Sequence, residues 1–358
     1  MATRICSSGS LDTFNPVIVT PVIGNEFPKG SCNIVDDILQ HPDAKQRIRD
    51  LAVMVAERGV VFFRAQDNLT NEAQKTLISL MGSLTTRPKS HSLHIHPVTN
   101  DKREFGDSDP QISTIDSEGR KKLYKGSEYT RMAAVWHSDI AFERAPADFS
   151  SLRLTQLPKT GGDTLWASGY EIYDRLSRPY QRFVEGLTAT VVGEGFKRIA
   201  QSGRFEMYTG ERGAPVNVGS ELEAIHPVVR TNPISEWKSI FPVGSFASHI
   251  NELNRKESAK MLQHFHDLFT YGHDLQPYGI TGAFFTRPPV IMKDLARVVG
   301  TGQWVLVKSL TLTLKANQDI TKLQIKVDVF CKHIEHLPFK QTTRSFTPIL
   351  RSLWTGQA

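Results

Sequence analysis

The stretch AAVWHSDIAF, residues 133–142, places two chargeable side chains, His137 and Asp139, inside an otherwise apolar run. Such a run is typical of a buried strand, and residues two apart in a strand project from the same face. An imidazole nitrogen and a carboxylate oxygen on one face can bind a single metal ion. The alternative is that His137 is a hydrogen-bonded core histidine and that Asp139 caps a turn. We call these two residues the H-x-D pair.

A second histidine from elsewhere in the chain would complete a well-known ligand set. Two histidines and one carboxylate form the facial triad of non-haem Fe(II) oxygenases, which leaves positions open for a bidentate co-substrate and O₂. The H-x-D pair alone does not distinguish this site from the structural alternative. The surrounding sequence must therefore decide between them.

The composition of the chain argues against several classes of protein. The 358 residues are 39% hydrophobic, which suits a globular core, and no apolar run reaches the length of about 18 residues that a transmembrane helix needs. The N-terminal residues lack the apolar core of a secretory signal, so we expect a cytoplasmic protein without a membrane partner. The net charge of +6 comes from scattered basic residues, so no nucleic-acid partner is expected. The three cysteines are far apart, which argues against a disulfide framework or a zinc knuckle.

The order of the predicted elements indicates a mixed fold. DAKQRIRDLAVMVAERG (residues 43–59) predicts an amphipathic helix that ends at Gly59, and VVFFR follows as a buried strand. A second helix is predicted after Thr70, which is a cap residue. Short strands separated by turn residues follow residue 133, with helices between and after them. This pattern predicts an α+β protein built around an antiparallel barrel or sandwich.

Four motifs carry a resemblance to a known family. They are VVFFRAQDNLT, LHIHPV, WHSDIAFERAPADFSSLRLTQLPKTGGDTLWAS and HPVVRTNPISEWKSIF, in that order. Over about residues 15–276 the chain resembles the TauD/TfdA-like Fe(II)/2-oxoglutarate-dependent dioxygenases, and in particular their fungal sulfonate-dioxygenase-like members. The resemblance implies an α+β fold with a double-stranded β-helix (jelly-roll) core flanked by helices. It also implies that residues 1–276 form the dioxygenase domain.

The resemblance also implies roles for individual residues. The positions of His137 and Asp139 match two iron ligands, and Thr164 of GGDTLWAS matches a residue that binds 2-oxoglutarate. His96 of LHIHP matches a residue that contacts the anionic group of the substrate; the alternative is a histidine of a surface loop. The implied cofactors are Fe²⁺, 2-oxoglutarate as co-substrate and O₂. The implied reaction hydroxylates a small, sulfonate-like or secondary-metabolite substrate and releases succinate and CO₂, in a chain that is expected to form homo-oligomers.

The C-terminal part departs from the family pattern. Family members carry a WDNR…H element with the distal histidine ligand, followed by an arginine that binds 2-oxoglutarate, and residues 277–358 contain no such element. One explanation is that this divergent part still supplies the last core strands, with His333 as the third metal ligand. Arg344, eleven positions later, is then the carboxylate-binding arginine. The other explanation is that the region is aberrant, which would leave a catalytically impaired binding or scaffold protein with an incomplete iron site.

Overall fold

The computed structural model describes residues 4–98, 109–114, 136–154 and 164–272, and the backbone of 278–279, 283–286 and 290–294. The chain divides into two compact units, Met1–Gln303 and Trp304–Ala358, and all the described residues belong to the first. The predicted site residues His333 and Arg344 lie outside the described residues. No helix within the described ranges combines the length and the apolar character that crossing a membrane requires.

The helices of the described residues lie in three groups along the chain. Their bounds are α1 (Ala44–Arg58), α2 (Asn71–Gly82), α3 (Gly169–Asp174), α4 (Arg178–Val184), α5 (Glu194–Gln201) and α6 (Arg255–Tyr271). A 3₁₀ turn at Asp12–Phe14 and a π-helical turn at Ile34–Leu39 precede them.

Local sequence explains where the long helices begin and end. The predicted end of α1 is confirmed, because Gly59 follows it with a φ of 74° and its N–H binds the carbonyl oxygen of Val55. The predicted start of α2 is confirmed as well, since the Thr70 hydroxyl accepts from the N–H of Ala73. Helix α6 begins with a capping box at Asn254.

Thirteen strands are present among the described residues. Their bounds are β1 (Val17–Ile18), β2 (Asn25–Phe27), β3 (Val60–Phe63), β4 (Phe149–Leu152), β5 (Thr164–Ser168), β6 (Thr188–Val192), β7 (Glu223–Pro227), β8 (Val229–Thr231), β9 (Lys238–Ile240), β10 (Ala247–Ile250), β11 (Tyr278–Gly279), β12 (Ala283–Thr286) and β13 (Val290–Asp294).

The strands form small sheets with many long-range pairs. The largest sheet has the order β1-β2-β3-β12-β4, the next two have the orders β10-β6-β7 and β11-β5-β13, and β8 pairs with β9. Only β2 and β3 are parallel; the other described pairs are antiparallel. Strands β12 and β13 follow residue 276 and pair with β3, β4 and β5, so this stretch takes part in two of the sheets. The division at residues 276/277 stays a prediction.

Two large apolar clusters fill the core. One lies under α1 and α2, where the rings of Phe27 and Phe63 stack with their centroids 4.6 Å apart. The other gathers Trp136, residues of β5 and β6, and the apolar face of α6, where Phe269 meets Trp136 edge-on at 5.3 Å. The second cluster therefore supports the segment that carries the H-x-D pair.

Candidate functional site

The segment around the H-x-D pair differs in part from the predicted strand. Only His137 pairs, in an isolated antiparallel bridge with Gly244, and a turn begins at Asp139. Ile140 has a φ of 44°, which ends the extended backbone there. Burial still alternates, since residues 136, 138 and 140 are buried and 137 and 139 are half-buried. The predicted strand is therefore too long, but the two side chains are accessible as expected for one shared face.

The H-x-D pair has a geometry that suits a metal ion. His137 Nε2 lies 3.1 Å from Asp139 Oδ1, and the two side chains are 17% and 36% exposed. Two ligand atoms that bind one metal at right angles, each at about 2.1 Å, lie about 3.0 Å apart. Without a metal, the same distance allows the imidazole to donate a hydrogen bond to the carboxylate. Within the described ranges, no group of three or more His, Cys, Asp or Glu side chains could hold a metal.

Gly244 is a residue of this site that sequence reasoning missed. Its φ is 77°, and a Cβ added there would lie 1.9 Å from the carbonyl oxygen of Trp136 and 3.1 Å from the Cα of His137. The N–H of the next residue, Ser245, donates to the same Trp136 oxygen at 3.1 Å. Glycine is therefore required for the backbone to approach the H-x-D segment this closely. The motif FPVGSF contains no local signal of this role.

Three phenylalanines form an aromatic wall beside the H-x-D pair. Phe246 meets His137 edge-on at 5.9 Å between ring centroids, and it lies 5.2 Å from Phe142 and 6.2 Å from Phe196. The ring of His96 in turn meets Phe196 edge-on at 5.2 Å. The aromatic wall (Phe142, Phe196 and Phe246) therefore connects the candidate substrate residue to the candidate metal ligand. Sequence reasoning missed these residues, because they come from three distant segments.

The ring of His96 is oriented by a backbone N–H two residues later in the chain. The N–H of Val98 donates to His96 Nδ1 at 3.1 Å. Since Nδ1 accepts a hydrogen bond, the proton of the neutral imidazole is on Nε2. The second ring nitrogen is therefore a hydrogen-bond donor, which is what contact with an anion requires.

Thr164 begins β5 next to the cluster that supports the pair. It is buried, and its backbone pairs with Gly279 of β11 and Asp294 of β13. The following residue, Leu165, belongs to the same apolar cluster as Trp136. Because alternate residues of a strand face opposite sides, the Thr164 side chain projects on the side of Trp166, opposite to Leu165 and Ala167.

A buried polar cluster lies next to the turn of the H-x-D pair. We name it the Glu143 cluster: the Glu143 carboxylate, the Arg212 guanidinium and the His94 imidazole. Burial acts to raise the pKa of the Glu143 carboxyl, but hydrogen bonds from His94 and Arg212 and the guanidinium charge lower the pKa below its usual value. The carboxylate is therefore ionised at neutral pH. His226 Nε2 donates to the Glu143 carbonyl oxygen at 2.9 Å, which holds the backbone of the same residue.

The profile of one protein family matches most of the described residues. The profile described as "Taurine catabolism dioxygenase TauD, TfdA family" matches residues 20–279. This range includes the H-x-D pair, His96 and Thr164, and it ends at the last residue of β11.

Fungal proteins are similar to the chain over three quarters of its length. "Alpha-ketoglutarate-dependent dioxygenase btcD" of Neocamarosporium betae is 42% identical over 282 residues, which cover 75% of this chain and 80% of that protein. "Alpha-ketoglutarate-dependent dioxygenase oryG" of Aspergillus oryzae is 42% identical over 75% of this chain and 77% of its own. "Alpha-ketoglutarate-dependent sulfonate dioxygenase" of Saccharomyces cerevisiae is 28% identical over 72% of this chain and 56% of its own.

Solved structures share the fold. The crystal structure of AAD-2 in complex with Mn(II) and N-oxalylglycine superposes with a TM-score of 0.56 over 79% of this chain and 92% of that one, at 16% identity. At this identity the likeness concerns the fold. It confirms the predicted α+β class with a jelly-roll core flanked by helices.

Proposed function

This chain belongs to the taurine catabolism dioxygenase TauD, TfdA family, and from that premise we propose that it hydroxylates a small anionic substrate with an apolar body. It is an oxidoreductase, a 2-oxoglutarate-dependent dioxygenase that acts on small molecules. Its cofactors are Fe²⁺, 2-oxoglutarate as co-substrate and O₂. When bound, iron and co-substrate supply the oxidation, in which 2-oxoglutarate becomes succinate and CO₂ and one oxygen atom enters a C–H bond of the substrate.

The H-x-D pair holds the iron in this proposal. The separation of 3.1 Å between His137 Nε2 and Asp139 Oδ1 supports it, because this distance suits two adjacent ligands of one ion. Thr164 binds 2-oxoglutarate in the same proposal. His333 is the third ligand and Arg344 the carboxylate-binding arginine on the basis of their spacing in the sequence.

The aromatic wall supports the proposed substrate class. An anionic group that accepts a hydrogen bond from His96 would lie at one end of the wall, and a carbon beside the H-x-D pair would lie at the other. Between them the substrate would meet the rings of Phe196 and Phe246. An apolar chain or ring gains from such contacts, since burying apolar surface contributes about 25 cal/mol per Å². These residues also keep water away from the reacting carbon.

The name of one relative suggests the nature of the anion. The yeast relative is named a sulfonate dioxygenase, whereas the names of the more similar fungal relatives state no substrate. A sulfonate-like or secondary-metabolite substrate therefore remains our proposal. The alternative of a catalytically impaired scaffold finds no support, because the relatives are named as dioxygenases. A homo-oligomeric state and a cytoplasmic location are also part of the proposal, and gel filtration and localisation of the tagged full chain would test them.

The proposal depends on the pairing of His137 with Asp139, and the test removes the Asp139 carboxylate. We expect the anaerobic wild-type protein with Fe²⁺ and 2-oxoglutarate to show the visible charge-transfer band of the chelate, and to form succinate in air with a panel of alkyl and aromatic sulfonates. Asp139→Ala removes a charged metal ligand and should abolish both signals. Asp67→Ala, at an exposed carboxylate, is the control and should retain both. An undiminished band in Asp139→Ala would contradict the assigned ligand.

A further inference from the structure

The ion pair between Glu143 and Arg212 joins residues that are 69 positions apart. The two side chains are 3% and 1% exposed. The guanidinium binds both carboxylate oxygens, Nε to Oε1 at 2.5 Å and Nη2 to Oε2 at 3.0 Å, and Nη1 donates to the carbonyl oxygens of Tyr208 and Gly219. Replacing a buried ion pair by apolar side chains of similar size often leaves the stability of a protein unchanged or raises it, so stability alone does not account for this pair. The distinctive contribution of this pair is therefore its geometry.

The Glu143 carboxylate also orients His94. His94 Nε2 lies 3.1 Å from Glu143 Oε1. Because the carboxylate is ionised, Nε2 carries the proton and donates it to this oxygen. The same oxygen accepts from Arg212 Nε. Arg212 thus sets the position of the atom that holds the imidazole of His94.

The segment of residues 92–97, which carries both His94 and His96, is seated on the loop that contains Arg212. The N–H of Ser92 donates to the carbonyl oxygen of Gly213 at 2.6 Å, and the N–H of Tyr208 donates to that of Pro97 at 2.9 Å. The position of His96 is therefore tied to the 208–213 loop by contacts on both sides of it.

The same glutamate is connected to the turn of the H-x-D pair. The N–H of Glu143 donates to the carbonyl oxygen of Ile140 at 3.0 Å, within the turn that begins at Asp139. Its backbone thus lies in the turn that follows the H-x-D pair, and its side chain reaches His94 in the segment of His96. No other cluster of buried charged side chains among the described residues joins these two segments.

We propose that Arg212 is a positioning residue: through the Glu143 carboxylate it sets where His96 lies relative to the H-x-D pair. This inference rests on the proposed function, in which His96 contacts the substrate anion and the pair holds the iron. Arg212 determines which carbon of the substrate faces the metal, and it contributes nothing to the binding of iron or of 2-oxoglutarate.

The test replaces the ion pair by apolar side chains, so that no unpaired charge remains buried. The variant is Glu143→Leu with Arg212→Met in the full chain. The control is Glu26→Leu with Arg64→Met, which removes a partly exposed ion pair of 2.7 Å outside the Glu143 cluster. The readouts are the melting temperature, the Fe²⁺ and 2-oxoglutarate titration of the chelate band, and turnover of 1-hexanesulfonate as the probe substrate. Ring resonances of ¹⁵N-histidine-labelled protein report on His96 without any substrate.

For the double variant we expect a folded protein with 2-oxoglutarate half-saturation within about twofold of wild type. The KM for 1-hexanesulfonate should rise at least about tenfold and the hydroxylated product formed per succinate should fall, because the substrate is displaced. The His96 ring resonances should shift, and the control variant should match wild type in every readout.

Unchanged His96 resonances together with an unchanged KM and product ratio would overturn the inference. A rise in the 2-oxoglutarate half-saturation as large as the rise in the KM for 1-hexanesulfonate would overturn the inference as well. Such a result would show that the ion pair has a general structural role. A wild-type protein without chelate band or succinate would defeat the proposed function instead. In that case the His96 resonances alone would decide whether Arg212 positions this histidine.

Discussion

Replacing Gly244 by alanine perturbs the backbone contact that holds the H-x-D segment. The added Cβ would lie 1.9 Å from the carbonyl oxygen of Trp136, whereas real Cβ contacts are essentially never shorter than 3.0 Å. The distance between residue 244 and the Trp136 carbonyl group must therefore increase by about 1.1 Å. Trp136 directly precedes His137, so this shift displaces the H-x-D segment. A misplacement of about 1 Å at an active site lowers the rate about a hundredfold. We expect Gly244→Ala to lower succinate formation by this factor.

The matched control is Gly30→Ala. Gly30 has a φ of 79° against 77° for Gly244, but a Cβ there meets nothing within 4 Å. Both variants place alanine in the left-handed region, which costs about 1–2 kcal/mol. Only Gly244→Ala adds the collision with the H-x-D segment. The difference between the two variants therefore isolates the effect of the contact from the effect of backbone strain.

The assay combines three measurements on wild type and both variants. Thermal unfolding gives the stability, titration of the anaerobic chelate band gives the Fe²⁺ affinity, and succinate formation in air gives turnover. Gly30→Ala should lose stability alone, whereas Gly244→Ala should lose iron affinity and turnover in addition. If Gly244→Ala matched Gly30→Ala in all three measurements, the reasoning from the close approach would be refuted.

Two further expectations follow from buried titratable groups. Burial would raise the pKa of the Asp50 carboxyl, but hydrogen bonds from two serines lower it from 3.8 to about 2. Because the pKa is lower in the folded state, the wild type should lose about 2 kcal/mol as the pH falls from about 4 to 2; urea unfolding should show that Asp50→Asn lacks this loss. Burial raises the pKa of the Cys32 thiol to about 12, so at pH 8 a Cys331→Ser protein should expose one thiol, Cys6, to an aromatic disulfide reagent. Two rapidly reacting thiols would contradict this expectation.

Local elements were predictable because their causes are close in the sequence. Helix α1 and its end at Gly59 follow from a 3.6-residue apolar period and one glycine. The convergence of His137 and Asp139 follows from a spacing of two residues in extended backbone. The extent of the strand was wrong, since the left-handed backbone of Ile140 is not typical of a β-branched residue.

The sequence by itself determined the family, the mixed fold and the H-x-D pair, because all three depend on residue types at short, recognisable spacings. Only the tertiary structure brought Gly244 against His137, 107 positions apart, and Arg212 against Glu143. Such contacts depend on how loops are packed across the sheets, which no local periodicity encodes. The aromatic wall has the same origin, since its three rings meet through folding alone.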